Sequence, residues 1–590
     1  MKMKKMIGTI AKCTLSLVLS GVGVATTSRP VQAQTVTPKE LHHLLAPKRA
    51  SYGYYIETYQ SNTDKDVTPA HNAATALFNN SFATYWDPTG TGRPLNAKLL
   101  KENQQKSVTI SQKETPAEFL RSYLSDRRDS PYNEIPALGP FAPAFIKLAD
   151  AQTHFTALPA EPWPATAKDD PSSGVVWANK TSTLGPMVQL VNLAAENTYS
   201  SSGHPKKYFK YVRPFRQGPG IHMNKYLVNV FNASPKTDYD FPSGHTTQAF
   251  ETALMMAYAL PQRFQQEVTR ASEVGLDRIL VGRHSPLAVM GGRVLGTAVA
   301  AAVLNDPNNA QMIQRAYQNA QTNLANKSNQ SARDNYKNYQ TNLKHYDERM
   351  TYGFKKTGSA HVRMTVPKGA EALLKTRFPY LTPIQRREVL YTTGFESGYP
   401  VNDDTEGWGR LNLVKAAGGF GRLLTNTTVN MTAKNNPYGQ HDTWQNNIGG
   451  QGRLIKTGSG ALTLAGHNSF NGLTLNSGQL IAANSAALGD QNVTVARGHL
   501  RLAAPRVVVK GHYTQRRSAS LSLTTRQRLT IRGRADLGGT LKVTLTHRLP
   551  RAVTLIRFNH RNGKFRHVQL VGSHRQWRLK YTATSVQLVR

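Results

Sequence analysis

The spacing of apolar residues changes along this chain and divides it into two kinds of structure. From residue 186 to residue 304, apolar residues recur at helical spacing, and Phe250, Leu254 and Tyr258 lie four apart on one face. After the sequence NNPYG, which ends at Gly439, apolar and polar residues alternate in short runs separated by Gly or Asn. These runs recur about every ten residues. The chain is therefore predicted to be multidomain, with an all-α helical bundle followed by an all-β region of the parallel β-helix type.

Breaks in composition divide the chain further. A chain of 590 residues is too long for one ordinary core. We expect six segments: a signal peptide at 1–33, a helical and loop-rich region at 34–185, a helical core at 186–305, a polar helical segment at 306–350, an accessory globular segment at 351–430, and a basic β-strand tail at 431–590.

The first segment is typical of a cleaved secretory signal. It has a Lys-rich start, an apolar stretch and a small-residue site ending at Ala33, with a membrane anchor as the alternative. Cys13 is the only cysteine and lies inside it, so the mature chain is expected to have no disulfide and no cysteine-bound metal. We expect a secreted protein, extracellular or associated with the cell surface.

A second apolar stretch, at 285–304, is long enough to suggest a membrane span. It is rich in Gly and Ala, and Arg293 interrupts it in the middle. It is therefore predicted to be a buried helix of the bundle, whose small residues allow close packing. We expect no transmembrane span after signal cleavage.

Positive charge is concentrated at the end of the chain. The whole chain carries a net charge of +38. Between Arg501 and Arg590, 20 lysines and arginines stand against one acid, Asp536, which gives +19 in this stretch. Such a surface attracts polyanions. For an exported protein we expect anionic cell-wall or envelope polymers rather than a specific nucleic acid, with general solubility at low external pH as the alternative.

Three short motifs in the helical core carry residues suited to phosphate chemistry. They are KKYFKYVRP, FPSGH and DRILVGRHSPLA. Any single His, Arg or Lys in them would more often be structural, so the evidence is their ordered combination. The residues that matter are Lys206, Arg213, Pro214, Pro242, Ser243, Gly244, His245, Arg278 and His284.

These residue types suit an anion of two negative charges. Arg213 and Arg278 can each hold two oxygens with a planar guanidinium, and Lys206 adds a mobile point charge. Ser243 and Gly244 stand where a helix is predicted to begin, so their backbone N–H groups can point at an oxyanion. The sequence therefore predicts a phosphate-binding site.

The ordered set resembles the type-2 phosphatidic-acid phosphatase superfamily and, within it, the soluble class A bacterial acid phosphatases. The family pattern is Lys, six residues, Arg-Pro; then Pro-Ser-Gly-His; then Ser-Arg, five residues, His, three residues, Asp. The resemblance implies hydrolysis of phosphate monoesters, with His284 as the nucleophile that forms a phosphohistidine and His245 as the general acid. It implies neither a metal nor another cofactor. Cations around His245 would disfavour its protonated form, which predicts activity on the acid side.

Two positions depart from this family pattern. Ala288 stands where the final aspartate is expected, and Asp277 replaces the serine. That aspartate would accept the Nδ1 proton of His284 and leave Nε2 free to attack. Another acceptor is then needed, either a backbone carbonyl or a carboxylate distant in sequence. Loss of the orienting carboxylate can lower the rate by orders of magnitude without abolishing binding.

The segment that begins GRLIKTGSGALTLAGHNSF resembles the strand repeats associated with autotransporter passenger domains. The resemblance covers about residues 450 to 502. It implies a display or attachment module, with a plain stabilising β cap as the alternative.

The hypothesis that follows is a secreted, metal-independent acid phosphatase whose basic tail holds it near an anionic surface. The alternatives are a surface-binding protein with weakened catalysis and a vanadate-dependent haloperoxidase, which shares the same anion cradle. A lipid phosphatase is disfavoured because several spanning helices are missing from the sequence. We assign no catalytic role to His204 or His222. Asp403, Asp404 and Glu406 are predicted to form a solvated turn.

Overall fold

A computed structural model of the chain describes residues 36–168, 176–196, 198–432, 437–546, 549–572 and 577–590. The predicted signal peptide at 1–33, with Cys13, lies outside these residues.

The first three quarters of the described chain are helical. The α-helices are α1 Pro38–Leu44, α2 Tyr55–Thr58, α3 Ala73–Ala76, α4 Ala97–Ser111, α5 Pro116–Arg127, α6 Ala142–Ala149, α7 Gly185–Ala195, α8 Gly203–Phe209, α9 Pro214–Gln217, α10 Val228–Phe231, α11 Gly244–Ala259, α12 Phe264–Leu280, α13 Pro286–Asn305, α14 Ala310–Asn323, α15 Tyr339–Thr351, α16 Pro383–Thr393, α17 Leu413–Ala417 and α18 Pro437–Gln440.

The centre of the bundle is α11, which packs against α7, α12 and α13. Among the described residues, α13 is the one helix long and apolar enough to cross a membrane, with a mean hydropathy of 1.8. In this structure 94% of its apolar window is buried against the rest of the protein. The helix thus has the burial expected of a core element.

Small residues let α11 and α13 approach closely. A Cβ atom on Gly292 would lie 2.6 Å from the carbonyl oxygen of Ser243. A Cβ on Gly296 would lie 2.9 Å from Cβ of Phe250 and closer still to the carbonyl oxygen of Thr247. The backbone at the start of α11 therefore lies directly against α13, and this contact positions the FPSGH motif.

The last part of the chain is built of short strands. The strands are β1 Trp86–Asp87, β2 Arg93–Pro94, β3 Thr427–Asn430, β4 His441–Trp444, β5 Leu454–Thr457, β6 Ala461–Leu464, β7 Leu473–Leu475, β8 Gln479–Ala482, β9 Val493–Val495, β10 Gly498–Leu502, β11 Arg506–Val509, β12 Tyr513–Gln515, β13 Ala519–Thr524, β14 Arg528–Leu537, β15 Thr540–Thr544, β16 Ala552–Gly563, β17 His567–Val571, β18 Arg578–Tyr581 and β19 Ser585–Val589. Of these, β1 and β2 form a separate antiparallel pair in the helical region.

From β3 to β10, successive strands of the tail alternate between two sheets, as in a solenoid. The seven-stranded sheet has the order β4-β6-β8-β10-β13-β15-β17 and is parallel throughout. The second sheet, of ten strands, is parallel from β3 to β16 and ends with β19 and β18 antiparallel. Leu454 pairs with Leu473, and Leu473 with Val493, so these two coils take 19 and 20 residues. The predicted parallel β-helix type is confirmed, and the interval of about ten residues is one strand, half a coil.

Inward side chains stack from coil to coil. Leu454, Leu473, Val493, Tyr513 and Ala535 occupy successive paired positions, and each is fully buried. Alternating side chains of each strand point outward, which is the physical origin of the period of two in the sequence.

The helical region covers the first coil of the tail. Arg377 Nη1 lies 2.7 Å from Asp442 Oδ2, and Trp444 Nε1 donates to the Tyr380 hydroxyl at 2.9 Å. Strand β3 pairs with β5 and begins at Thr427, four residues before the expected start of the tail at 431. A solenoid end needs a cap, because its last coil otherwise exposes apolar side chains and unpaired strand edges. The helical region therefore caps the first coil of the tail through this ion pair and this hydrogen bond.

We predict that Gly296→Ala destabilises the protein by about 1–3 kcal/mol, because the added methyl group would be forced against the backbone of α11. The measurement is the urea midpoint of unfolding. Gly218→Ala is the matched control, since a Cβ there would meet nothing within 4 Å. An unchanged midpoint for Gly296→Ala would contradict the close contact between α11 and α13.

Candidate functional site

The N-terminus of α11 is one wall of the site. Ser243 is the N-cap, and its side chain accepts from the backbone N–H of Thr246. Its own backbone N–H donates to the carbonyl oxygen of Ala288 at 2.9 Å. This corrects the expectation that the Ser243 amide points at an oxyanion. The donors that remain are the first-turn amides of Gly244 and His245, which a helix leaves unpaired.

The segment with Lys206 and Arg213 runs beside the segment that leads into α11. Val212 and Tyr239 form an antiparallel bridge. Lys206, at the last turn of α8, donates from Nζ to the carbonyl oxygen of Tyr239 at 3.1 Å. Arg213 donates from Nε to Asp238 Oδ1 at 2.9 Å. The bridge thus brings both cations to the approach of the FPSGH motif.

Arg278 lies in the last turn of α12 and is 1% exposed. Its Nη1 lies 2.5 Å from Asp126 Oδ2, at the end of α5. The Nε of Arg278 is buried and has no hydrogen-bond partner within the described part of the chain. The backbone oxygen of Asp126 is 3.3 Å from His245 Nε2. Asp126 therefore links the second guanidinium to the first imidazole.

His284 lies in the short connection between α12 and α13. Its Nδ1 is 2.8 Å from Asp240 Oδ1, and its Nε2 is 2.5 Å from Arg213 Nη1. Arg213, Asp240 and His284 are all buried. The carboxylate of Asp240, distant in sequence, therefore lies within hydrogen-bond distance of Nδ1.

Shared cations surround both imidazoles. Burial lowers the pKa of His245 well below its ordinary value, and the guanidiniums of Arg278 and Arg127 lower it further. Burial also lowers the pKa of His284, together with the charges of Arg213 and Lys206. The charges of Arg278 and of a further arginine, Arg283, lower the pKa of both rings. The two histidines therefore lie in one electrostatic environment.

Carboxylates hold these cations in place. Asp238 binds the guanidiniums of Arg213 and Arg283, the latter at 3.0 Å. Burial alone would raise the pKa of Asp238, but these two cations outweigh it and hold the pKa at about 2. Asp126, with Arg127 and Arg278 beside it, also has a lowered pKa although burial opposes the shift. Both carboxylates are therefore ionised at neutral and mildly acid pH.

The structure brings the predicted site residues together and adds others that the sequence did not indicate. The predicted residues are Lys206, Arg213, Ser243, Gly244, His245, Arg278 and His284; the added ones are Asp126, Arg127, Asp238, Asp240 and Arg283. The sequence did offer one signal for Asp238 and Asp240, which stand two residues apart just before FPSGH. In an extended segment, residues two apart lie on the same face. Nothing in the sequence singled out Asp126, which reaches the site only through tertiary packing.

Asp277, at the position of the expected serine, faces away from the anion site. Its carboxylate is fully buried and lies 2.7 Å from Arg121 Nε and 2.6 Å from the Ser125 hydroxyl. It therefore fastens α12 to α5, and neither helps nor repels a bound phosphate directly.

Asp404 and Glu406 are buried and Asp403 is half-buried, so the expectation of a solvated turn is wrong for Asp404 and Glu406. Asp404 accepts from the backbone N–H groups of Gly407, Trp408 and Gly409. Glu406 accepts from the Tyr52 hydroxyl at 2.8 Å, and burial raises its pKa to about 7. These contacts hold Asp404 and Glu406 inside the protein, which a sequence pattern of acids and glycines does not reveal.

Histidines outside the site have other surroundings. His204 is buried 3.5 Å from Asp64, and His222 is exposed. No group of three or more His, Cys, Asp or Glu side chains suited to a metal ion occurs in the residues that the structure describes.

Comparison with known proteins gives a family for this region. Residues 187–312 match the model of the PAP2 superfamily. The chain is similar to serotype-specific antigen 1 of Mannheimia haemolytica, 29% identical over 194 residues, which cover 32% of this chain and 20% of the antigen. It is 30% identical over 137 residues to an extracellular serine protease of Serratia marcescens, covering 18% of this chain and 13% of the protease.

A third similarity is to the non-specific acid phosphatase of Salmonella typhi, 31% identical over 113 residues, which cover 18% of this chain and 41% of the phosphatase. The chain thus spans less than half the length of each of these relatives. Both histidines and the three predicted site cations lie within residues 187–312, the part of the chain that matches the PAP2 superfamily model.

Proposed function

We propose that this protein is a secreted, metal-independent acid phosphatase that hydrolyses phosphate monoesters through a phosphohistidine at His284. The observation that carries the proposal is the contact pattern of His284, with Nδ1 on Asp240 and Nε2 beside the guanidinium of Arg213. The similarity to a non-specific acid phosphatase supports the same reaction class.

Substrate binding uses the cations. The phosphate oxygens replace part of the contacts that Arg213 and Arg278 make with carboxylates, and Lys206 adds a third charge. The buried Nε of Arg278 gains an acceptor, as do the first-turn amides of α11. This arrangement disperses the charge on phosphorus oxygens before the nucleophile approaches.

In the first chemical step, Arg213 turns its Nη1 donor from Nε2 of His284 to a phosphate oxygen, and the freed lone pair of Nε2 attacks phosphorus. A bond forms between this nitrogen and phosphorus, and the bond from phosphorus to the ester oxygen breaks. His245 donates its proton to the departing oxygen, so that an alcohol leaves. In the second step His245 accepts a proton from water, the oxygen of that water bonds to phosphorus, and the bond to His284 breaks.

The alternative of weakened catalysis rested on Ala288. Its physical reason was a missing acceptor for Nδ1 of His284, and Asp240 lies at hydrogen-bond distance from that atom. The contact therefore favours turnover over a purely binding role. The haloperoxidase alternative differs in chemistry and is separated by experiment below.

We predict that His284→Ala lowers the rate of phosphate release from an aryl phosphate by about 10³-fold or more, because no bond to phosphorus can form. Chelators should leave the wild-type rate unchanged. Rapid quenching of the wild-type enzyme should trap an acid-labile phosphoryl group that mass spectrometry assigns to residue 284.

The matched control is His361→Ala, which replaces an exposed histidine and should retain full activity. A wild-type protein that releases no phosphate between pH 4 and 8 would refute the phosphatase proposal. Halide oxidation that arises only after vanadate is added, without phosphate release, would select the haloperoxidase.

We predict an optimum on the acid side of pH 6.5. The leaving alcohol needs His245 protonated, and burial with the cations Arg278 and Arg127 lowers the pKa of that ring. Activity must therefore fall as the pH rises through this lowered pKa. The measurement is kcat/KM against pH, and an optimum above pH 7 would contradict the assignment of His245.

The proposal extends to location. One relative is by name an extracellular protease, which supports export of this chain. The tail packs on the helical region at its first coil, so its outward faces, which carry exposed arginines and lysines, would hold the phosphatase domain near an anionic polymer.

We predict that neutralising four exposed tail cations weakens binding to immobilised polyphosphate and reduces its salt dependence. The variant is Arg532→Gln, Arg557→Gln, Arg578→Gln and Lys580→Gln, and the control neutralises the exposed residues Lys39, Lys98, Lys101 and Lys113 in the helical region. Equal losses in the two variants would mean that the tail has no special role.

A further inference from the structure

We propose that Asp240 is a positioning residue that sets the tautomer of His284 in place of an aspartate at position 288, and that the small residues at the start of α13 make this relocation possible. The inference rests on the proposed function in that His284 is the nucleophile.

Asp240 is held at both oxygens. Oδ1 lies 2.8 Å from Nδ1 of His284 and accepts from the backbone N–H of Ser285 at 3.2 Å. Oδ2 accepts from the Ser285 hydroxyl at 2.6 Å. The carboxylate is fully buried. Its orientation relative to the ring is therefore determined by the residue that follows the ring in the chain.

The two neighbours of the ring specify the same tautomer. Arg213 has only donor groups, and its Nη1 lies nearer to Nε2 of His284, at 2.5 Å, than to Nδ1, at 3.0 Å, so the lone pair that it meets is that of Nε2. An ionised Asp240 has only acceptor oxygens, so its contact with Nδ1 requires a proton there. The neutral ring thus carries its proton on Nδ1 and directs a lone pair from Nε2 toward the cations.

The start of α13 leaves room for the segment that carries Asp240. Ser243 donates from its backbone N–H to the carbonyl oxygen of Ala288. A Cβ on Gly291 would lie 2.6 Å from the Phe241 ring. Residues 240–243 therefore run along the first turns of α13, and the side chain of Ala288 is fully buried beside them.

An aspartate at position 288 would add a second buried carboxylate near Asp240. Two like charges without separate partners cannot both stay ionised at low cost. Asp240 and Ala288 together thus replace the single aspartate of the family pattern, because Asp240 supplies the carboxylate and Ala288 adds no second one beside it.

Asp240 also titrates in the range where an acid phosphatase works. The charged and titratable groups that face it are His284, Arg213, Lys206 and the phenol of Tyr211. Burial raises the pKa of Asp240 to about 6, although Arg213 and Lys206 act to lower it. As the pH falls through this pKa, the carboxylate is protonated and no longer requires the proton on Nδ1. Loss of activity on the acid side of the optimum then follows from Asp240.

The test is Asp240→Asn in the full-length protein. We expect kcat to fall by about 10²–10⁴-fold with KM changed less than about threefold, because the ring loses its fixed tautomer but the cations remain. The acid limb of the pH profile should also disappear, while the alkaline limb set by His245 stays. Asp277→Asn is the matched control, a buried acid outside the site, and should lower the melting temperature without changing the shape of the pH profile.

A second variant, Ala288→Asp, keeps the relocation testable where Asp240→Asn folds poorly, and together the two substitutions form a double-mutant cycle. Ala288→Asp should lower kcat in the wild-type background, because it places a second carboxylate beside Asp240. In the Asp240→Asn background the same change should raise kcat or leave it unchanged. An equal fold-loss in both backgrounds would overturn the relocation.

A measurement without substrate separates this inference from the proposed function. Proteins labelled with ¹⁵N-histidine, compared with His284→Asn to assign the ring, should show His284 protonated at Nδ1 in the wild type and mixed in Asp240→Asn. An inactive wild type with this signature would refute the phosphatase and keep the role of Asp240. An active enzyme whose ring is protonated at Nε2, or whose kcat survives Asp240→Asn, would refute the role of Asp240.

Discussion

Buried carboxylates allow several cations to share one end of the helical bundle. Arg213 and Arg283 both bind Asp238, and Arg278 binds Asp126. Without these acids, the positive charges of neighbouring guanidiniums would repel one another, because a buried site solvates them poorly. The acids also set the orientation of each guanidinium, and so the position where an anion can be held. The site therefore consists of the motif residues together with these acids.

This pairing has a consequence for substrate binding. A phosphate bound as proposed would take over donors that carboxylates already use, so its net gain would be the difference between two charge-assisted interactions. Donors without a present acceptor, such as Nε of Arg278 and the first-turn amides of α11, contribute without such an exchange. Burial and the charge of Arg213 also lower the pKa of Lys206, as expected for a cation that lies among other cations. An anion that enters the site relieves repulsion among the cations and favours their charged forms.

The solenoid and the bundle depend on each other at their junction. The first coil places Asp442 and Trp444 against Arg377 and Tyr380 of the helical region, with a buried ion pair at the centre. The other end of the solenoid closes with antiparallel strands. Between these ends the inward columns of Leu, Val and Tyr supply the burial, which leaves the outward positions free to carry the positive charge of the tail. A basic surface is thus compatible with a stable core.

The sequence by itself determined the elements and the chemistry of the motifs. The helical period, the period of two and the spacing of Lys206, Arg213, His245, Arg278 and His284 are local properties, because side-chain periodicity follows backbone geometry. The sequence also showed that an acceptor for His284 was missing at position 288. Only the tertiary structure decided where that acceptor lies, since Asp240 reaches the ring through a bridge between Val212 and Tyr239 and through the close packing of α11 on α13. The same reason explains Asp126, Asp277 and Asp404: whether a carboxylate is solvated, paired or part of a site depends on partners far along the chain, which spacing does not encode.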